Sequence, residues 1–120
     1  MLMEKKDVEK EIEVFLQKYF IPVFNRKLFE NGFKIHGISE FKFEEESIKK
    51  IIARNSLSMW IFHANAKIER SDFASKVKTI VKYEFAGNVV IDTYKNDVSN
   101  DLISNAKSVE ITYLNELQTN

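Results

Sequence analysis

From Met59 to Tyr94 apolar and polar side chains alternate almost without interruption, and few folds accept that pattern. Trp60, Phe62, Ala64, Ala66 and Ile68 share one parity, with His63, Asn65, Lys67 and Glu69 on the other. Val77, Thr79, Val81, Tyr83 and Phe85 repeat it against Lys76, Lys78, Lys82 and Glu84. A period of two belongs to strands with one buried face. The two runs meet at Ala86-Gly87-Asn88, read as a turn, and Val89 to Tyr94 leaves it again. The expectation is a long antiparallel meander.

What precedes the meander has a different period. Between Glu4 and Phe20, Val8, Ile12, Phe15, Leu16 and Tyr19 recur at spacings of three and four, the mark of an amphipathic helix. Pro22 lacks an amide hydrogen and disfavours helical geometry at Ile21, so it ends that helix; at a first helical position it can open another. The second helix carries Phe24, Leu28 and Phe29 and stops at Asn31-Gly32. Phe33 and Ile35, then Phe41 and Phe43, alternate with polar residues around Gly37, which predicts two short strands. Ser47 before Ile48, Ile51 and Ile52 has the form of an N-cap and a third helix ending near Asn55, while β-branching keeps a strand reading open. The polar stretch 96–107 reads as a loop, and Val109, Ile111 and Tyr113 as a last strand or tail.

At 120 residues, 44% hydrophobic and 12% aromatic, the chain suits one core, hence a single α+β domain over 1–120, its core at about 5–95 and a C-terminal strand or tail at 108–120. Eighteen basic and eighteen acidic residues cancel, so no global field favours nucleic acid or an anionic membrane. Lys76, Lys78 and Lys82, with Lys67, form a short basic stripe interrupted by Glu69 and Glu84, which reads as a solvated face. With no cysteine there are no thiolate metal sites, disulfides or thiol nucleophiles. No apolar run approaches the roughly twenty residues of a membrane span, and the start lacks the apolar core of a signal peptide. A cytoplasmic protein is expected, although a secreted domain already stripped of its signal would read the same. Fifteen lysines against three arginines, with abundant Ile and Asn, fit a low-GC source.

Two helices, a strand pair, a third helix and a long meander form an element order that resembles the nuclear transport factor two-like and cystatin-like superfamily. The resemblance covers residues 5 to 95 and rests on order alone. It implies a cone-shaped roll, a curved antiparallel sheet wrapped around the N-terminal helices. Members include isomerases with a helix tyrosine and sheet carboxylic acids, and subunits that dimerise. Tyr19 takes the helix position, but Glu69, Glu84 and Asp92 lie on the wrong parity or near turns, and the Gln-Val-Val-Ala-Gly type loop of the inhibitors is absent. Neither activity carries over residue by residue.

Among chemistry-bearing residues, His63 is the natural acid/base candidate, yet its parity sets it on the polar face with no carboxylate at a local spacing. His36 lies beside Gly37, and two lone histidines do not make a metal site. Glu44-Glu45-Glu46 reads as a solvated turn that places negative charge before the third helix. Tyr19, Trp60, Phe62 and Tyr83 are the ligand-pocket candidates should the cone be open. Ile61 and Ile80, with His63, Val90 and Tyr94, fall on the charged side of the sheet and are the interface candidates. The expected function is a non-enzymatic interaction module, a homodimer or the binder of another protein, without cofactor, metal, nucleic acid or membrane. The alternative is a small-molecule binding protein or enzyme with an apolar pocket inside the cone.

Overall fold

The computed structural model describes residues 4–54, 56–92 and 106–117. The chain is of the α+β class: one N-terminal helix followed by a curved, open antiparallel sheet of five strands. The helix, α1, is Lys5–Glu30. Its first turn is fixed by the Glu4 amide, which donates to Asp7 Oδ2 at 3.0 Å. Its end is fixed by Gly32, whose φ of +85° is the left-handed residue that releases the chain.

The two helices expected around Pro22 are one bent helix. Tyr19 alone departs from helical geometry, at φ −121° and ψ 31°, three residues before Pro22. The proline ring cannot accept a close carbonyl four residues back, at Lys18, so the strain is absorbed at the next residue and the helix resumes. Val8, Ile12 and Leu16 are buried before the bend and Phe24 and Leu28 after it. The apolar stripe thus continues in fours on both sides.

Five strands follow the helix among the described residues. Strand β1 is Phe33–Phe43, β2 is Lys49–Arg54, β3 is Leu57–Asp72, β4 is Thr79–Asp92 and β5 is Ala106–Glu116. The sheet order is β1-β3-β4-β5, and β2 also pairs with β3. Since β1 pairs with Ala64–Asp72 and β2 with Leu57–Ile61, the two lie in series along one edge of the sixteen-residue β3. The two short strands expected after Gly32 are joined in β1, which takes up the irregularity as bulges between Ile35 and Gly37 and between Ser39 and Lys42.

Two local expectations are corrected. The segment after Ser47 forms strand β2, not a third helix: Ile48 is fully buried and 49–54 lie along β3. The Ser47 hydroxyl, which would have capped a helix, accepts from the His63 amide at 2.8 Å and so pins the strand start to β3. Only a 3-10 turn, Glu45–Ser47, separates β1 from β2, so the acidic run faces no helix N-terminus. The turn expected at Ala86-Gly87-Asn88 is also absent. Strands β3 and β4 pair without a break from Leu57↔Asp92 to Arg70↔Thr79, and the chain reverses at 73–78 instead. Gly87 serves another need: a Cβ there would lie 3.1 Å from the Glu110 carbonyl carbon and 3.3 Å from Ile111 Cα, and closer still to the Glu110 oxygen. Glycine in a strand interior marks such a close backbone approach. The expected strand at 109–113 is β5, which already includes Ala106 and Lys107; the rest of the polar loop, 96–105, lies outside the described residues.

The sheet cups the helix, whose backbone comes nearest to β1 on one flank and β5 on the other. Between them the core is aromatic. Phe24 meets Phe85 edge-on at 5.4 Å, Phe85 meets Phe62 at 6.1 Å, and Phe62 meets Phe43 at 6.1 Å. Burying Phe24 and Phe85 completely contributes roughly 2–3 kcal/mol each in transfer free energy.

Candidate interaction surface

Alternation in β3 and β4 sends every second residue to the face away from α1, so the outer surface is legible strand by strand. Trp60, Phe62 and Tyr83 point inward and are buried. The Trp60 indole donates to Ser58 Oγ at 3.0 Å, and Tyr83 accepts from Arg70. Tyr19 is not with them. It is exposed on α1 and packs on Phe15 at 4.8 Å, beside a separate cleft between α1 and β5. The pocket candidates therefore divide into three core residues and one cleft residue.

The interface candidates divide as well. Ile61 pairs with Asn88, whereas Ile80 pairs with Glu69, eight residues further along β3. At about 3.4 Å per residue that is roughly 27 Å. His63, Asn65, Lys67, Lys82 and Glu84 occupy the interval, so the two isoleucines do not form a continuous strip. Ile61 instead belongs to a patch at the β2 end. Ile52, Met59 and Val90 form a row across three strands, and Leu57 and Ile61 flank Met59 on the same face. Exposure is 55% for Ile52, 43% for Leu57 and 39% for Ile61, with Met59 and Val90 half-buried. Leu57 and Met59 share the parity of Ile61 and could have been found from the sequence; Ile52 was hidden by the helical spacing of its neighbours. Lys49 and Arg54 of β2 give this patch a basic border. Tyr94 lies outside the described residues.

Ile80, at the other end, is 64% exposed. Near it, His36 Nε2 and Ser71 Oγ share a hydrogen bond of 2.8 Å.

Between the two ends stands a polar cluster that the sequence did not reveal. His63 Nδ1 lies 3.0 Å from Glu44 Oε2, and its Nε2 lies 3.6 Å from Glu84 Oε2. Tyr113 Oη donates to Glu84 Oε1 at 3.0 Å and Asn115 Nδ2 donates to the same oxygen at 3.1 Å. These donors, first Asn115 and then Tyr113, hold the Glu84 carboxyl below its usual range, and His63 adds to the effect. The same bond raises the Tyr113 hydroxyl, because the carboxylate favours its protonated form. Glu44 follows β1, His63 is on β3, Glu84 on β4 and both donors on β5, so the cluster straps the sheet from edge to edge. Its partners come from four separate parts of the chain, and no local spacing could announce it.

The basic stripe is partly neutralised: Lys67 pairs with Glu40 at 2.7 Å and Lys78 approaches Glu69 at 3.8 Å. Arg70 engages three side chains. It lies 3.7 Å from the Phe33 ring centroid, donates to Tyr83, and forms an ion pair with Glu116 at 3.0 Å. Burial lowers its pKa, but the Glu116 bond and Tyr83 outweigh this and the net shift is upward.

The cleft between α1 and β5 has a volume of about 730 Å³. Among the described residues no group of three or more His, Asp or Glu side chains could hold a metal ion, and no helix is long and apolar enough to cross a membrane. Comparison of the chain with family models, with curated proteins and with solved structures returned no match.

Proposed function

We propose that this chain is a non-enzymatic interaction module that docks a protein, in the simplest case a second copy of itself, through the outer face of its sheet. The observation that carries the reading is the apolar patch of Ile52, Leu57, Met59, Ile61 and Val90, exposed on a sheet whose other face is already occupied by α1. An apolar centre with a charged border is the anatomy of a protein interface. The phenylalanine packing between helix and sheet favours this over a ligand held inside the cone. The helix-first order and curved sheet are compatible with the nuclear transport factor two-like and cystatin-like roll, in which association through the sheet is common, and membership of that superfamily is part of this proposal.

Sedimentation velocity across a wide concentration range tests it. The expected result is reversible dimerisation, weakened at least tenfold by Ile61→Lys together with Ile52→Lys while circular dichroism and melting temperature stay near those of the parent. A chain that remains monomeric at several hundred micromolar and loses no partner on this double substitution would refute the reading.

A further inference from the structure

The cleft beside α1 has a wall of unusual composition. Six consecutive residues of β5, Ala106 to Ile111, line it. A strand seen face-on contributes alternate residues. A run containing both parities means that the edge of the strand, with its backbone, forms the wall. Strand β5 pairs with β4 and, among the described residues, with no other strand. Alternate residues within Lys107 to Ile111 turn their amides and carbonyls away from β4 and toward the cleft, the template on which an extended segment adds.

The opposite wall is the bent part of α1. Phe15, Tyr19 and Val23 supply apolar surface, and Val109 of β5 faces the same space. Lys18, Arg26, Lys27 and Lys107 also line it, against Glu110 as the one acidic residue among the described residues of the lining. Arg26 reaches Glu30 at 3.6 Å, but both side chains are largely exposed and such a pair holds little charge back. The local balance is thus strongly positive in a chain whose total charge is zero.

We infer that the cleft between α1 and the outer edge of β5 receives an extended acidic peptide segment, which adds to β5 along Lys107–Ile111 as a further strand, sets its apolar side chains against Phe15, Tyr19 and Val23, and meets the four cations with its carboxylates. Edge amides supply affinity along the backbone, and alternate side chains supply selectivity. This site lies on the opposite side of the sheet from the Ile61 patch and does not depend on it.

The test uses the full chain, labelled with nitrogen-15, and the acetylated, amidated peptide Glu-Val-Asp-Leu-Glu-Val-Asp. Saturable shifts are expected at Lys107–Ile111 and along Lys18–Lys27. Affinity should fall at least tenfold when alternate peptide amides are N-methylated, and at least tenfold for Lys18→Glu with Arg26→Glu, both exposed positions whose folding is checked by circular dichroism. Ile61→Lys should leave peptide binding unchanged, which separates this site from the outer face. Absence of binding, equal binding of the N-methylated peptide, or shifts confined to the outer face would each overturn the inference. So would saturable binding of dodecanoate in the cleft without peptide binding, which would assign it to small amphiphiles.

Discussion

Replacing Gly87 by alanine tests the account of the sheet most directly. The glycine sits in mid-strand with no positive φ to explain it, so the argument is one of space alone. The added Cβ would meet three backbone atoms, the Glu110 oxygen and carbon and Ile111 Cα, and none is the end of a flexible side chain. Strand β5 would have to move away by about 1 Å, at a typical overpacking cost of about 1–3 kcal/mol. Alanine also restricts the unfolded chain, which returns about 0.4–1 kcal/mol. The net expectation is a loss of about 1–2 kcal/mol, or about 4–8 °C in Tm for a domain of this size. Urea unfolding followed through Trp60, the single tryptophan and a buried one, would measure it. Gly37→Ala is the internal control, since nothing lies within 4 Å of a Cβ at Gly37; it should be neutral or slightly stabilising. If Gly87→Ala proved as stable as Gly37→Ala, the close approach of β5 would not exist and the pairing of β4 with β5 would have to be redrawn.

The remaining expectations concern the charged side chains. Because the Glu84 carboxyl is held low in the folded chain, its stabilising effect is present above the ordinary glutamate range of about 4.3 and is lost as the pH falls through the folded value. Glu84→Gln should therefore be less stable than the parent at pH 7, with the difference closing in acid; a difference that persists unchanged to low pH would show that the hydrogen bonds, not the charge, matter. Tyr113 has the opposite sign: its raised pKa makes the hydroxyl's contribution complete below about 10 and lost as the pH rises through the folded value, so Tyr113→Phe should converge with the parent in alkali. Arg70→Met keeps the side-chain stem but removes the contacts to Phe33, Tyr83 and Glu116, and should cost about 1–2 kcal/mol in thermal or urea unfolding. Arg70→Lys should recover less than half of that, because an ammonium cannot reproduce the planar fork.

What could be read in the sequence was whatever depends on near neighbours. The inward parity of Trp60 to Ile68 and of Tyr83 to Phe85, the apolar stripe of α1 and the existence of β5 follow from periodicity, and the structure has them. The expectations that fail at Gly87 and Ser47 share one cause. Glycine permits a turn, but the reason for Gly87 lies in Glu110, twenty-three residues away in sequence. The Ser47 hydroxyl suits a helix cap, but it accepts from the amide of His63 on another strand. The strap through Glu44, His63, Glu84, Tyr113 and Asn115 was invisible for the same reason. In a sheet, partners are chosen by register across strands, and register is decided by the whole hydrophobic pattern, not by any one residue.

The placement of β1 and β2 in series along β3 means that the sheet's width is adjustable at one end. Every residue of β2 is exposed; the buried anchor at its start is Ile48, and no core side chain is lost if 49–54 lifts away. Strand β3 would stay paired with β1 and β4. Exposed throughout and paired on one side to β3, β2 is expected to open more readily than the β3–β4 ladder, with amides that exchange faster. Since Ile52 belongs to β2 and Met59 to β3, the outer patch is assembled only while β2 is closed. If β2 opens in this way, a partner of the patch would bind only the closed form, and its affinity would carry the closing equilibrium of a six-residue strand.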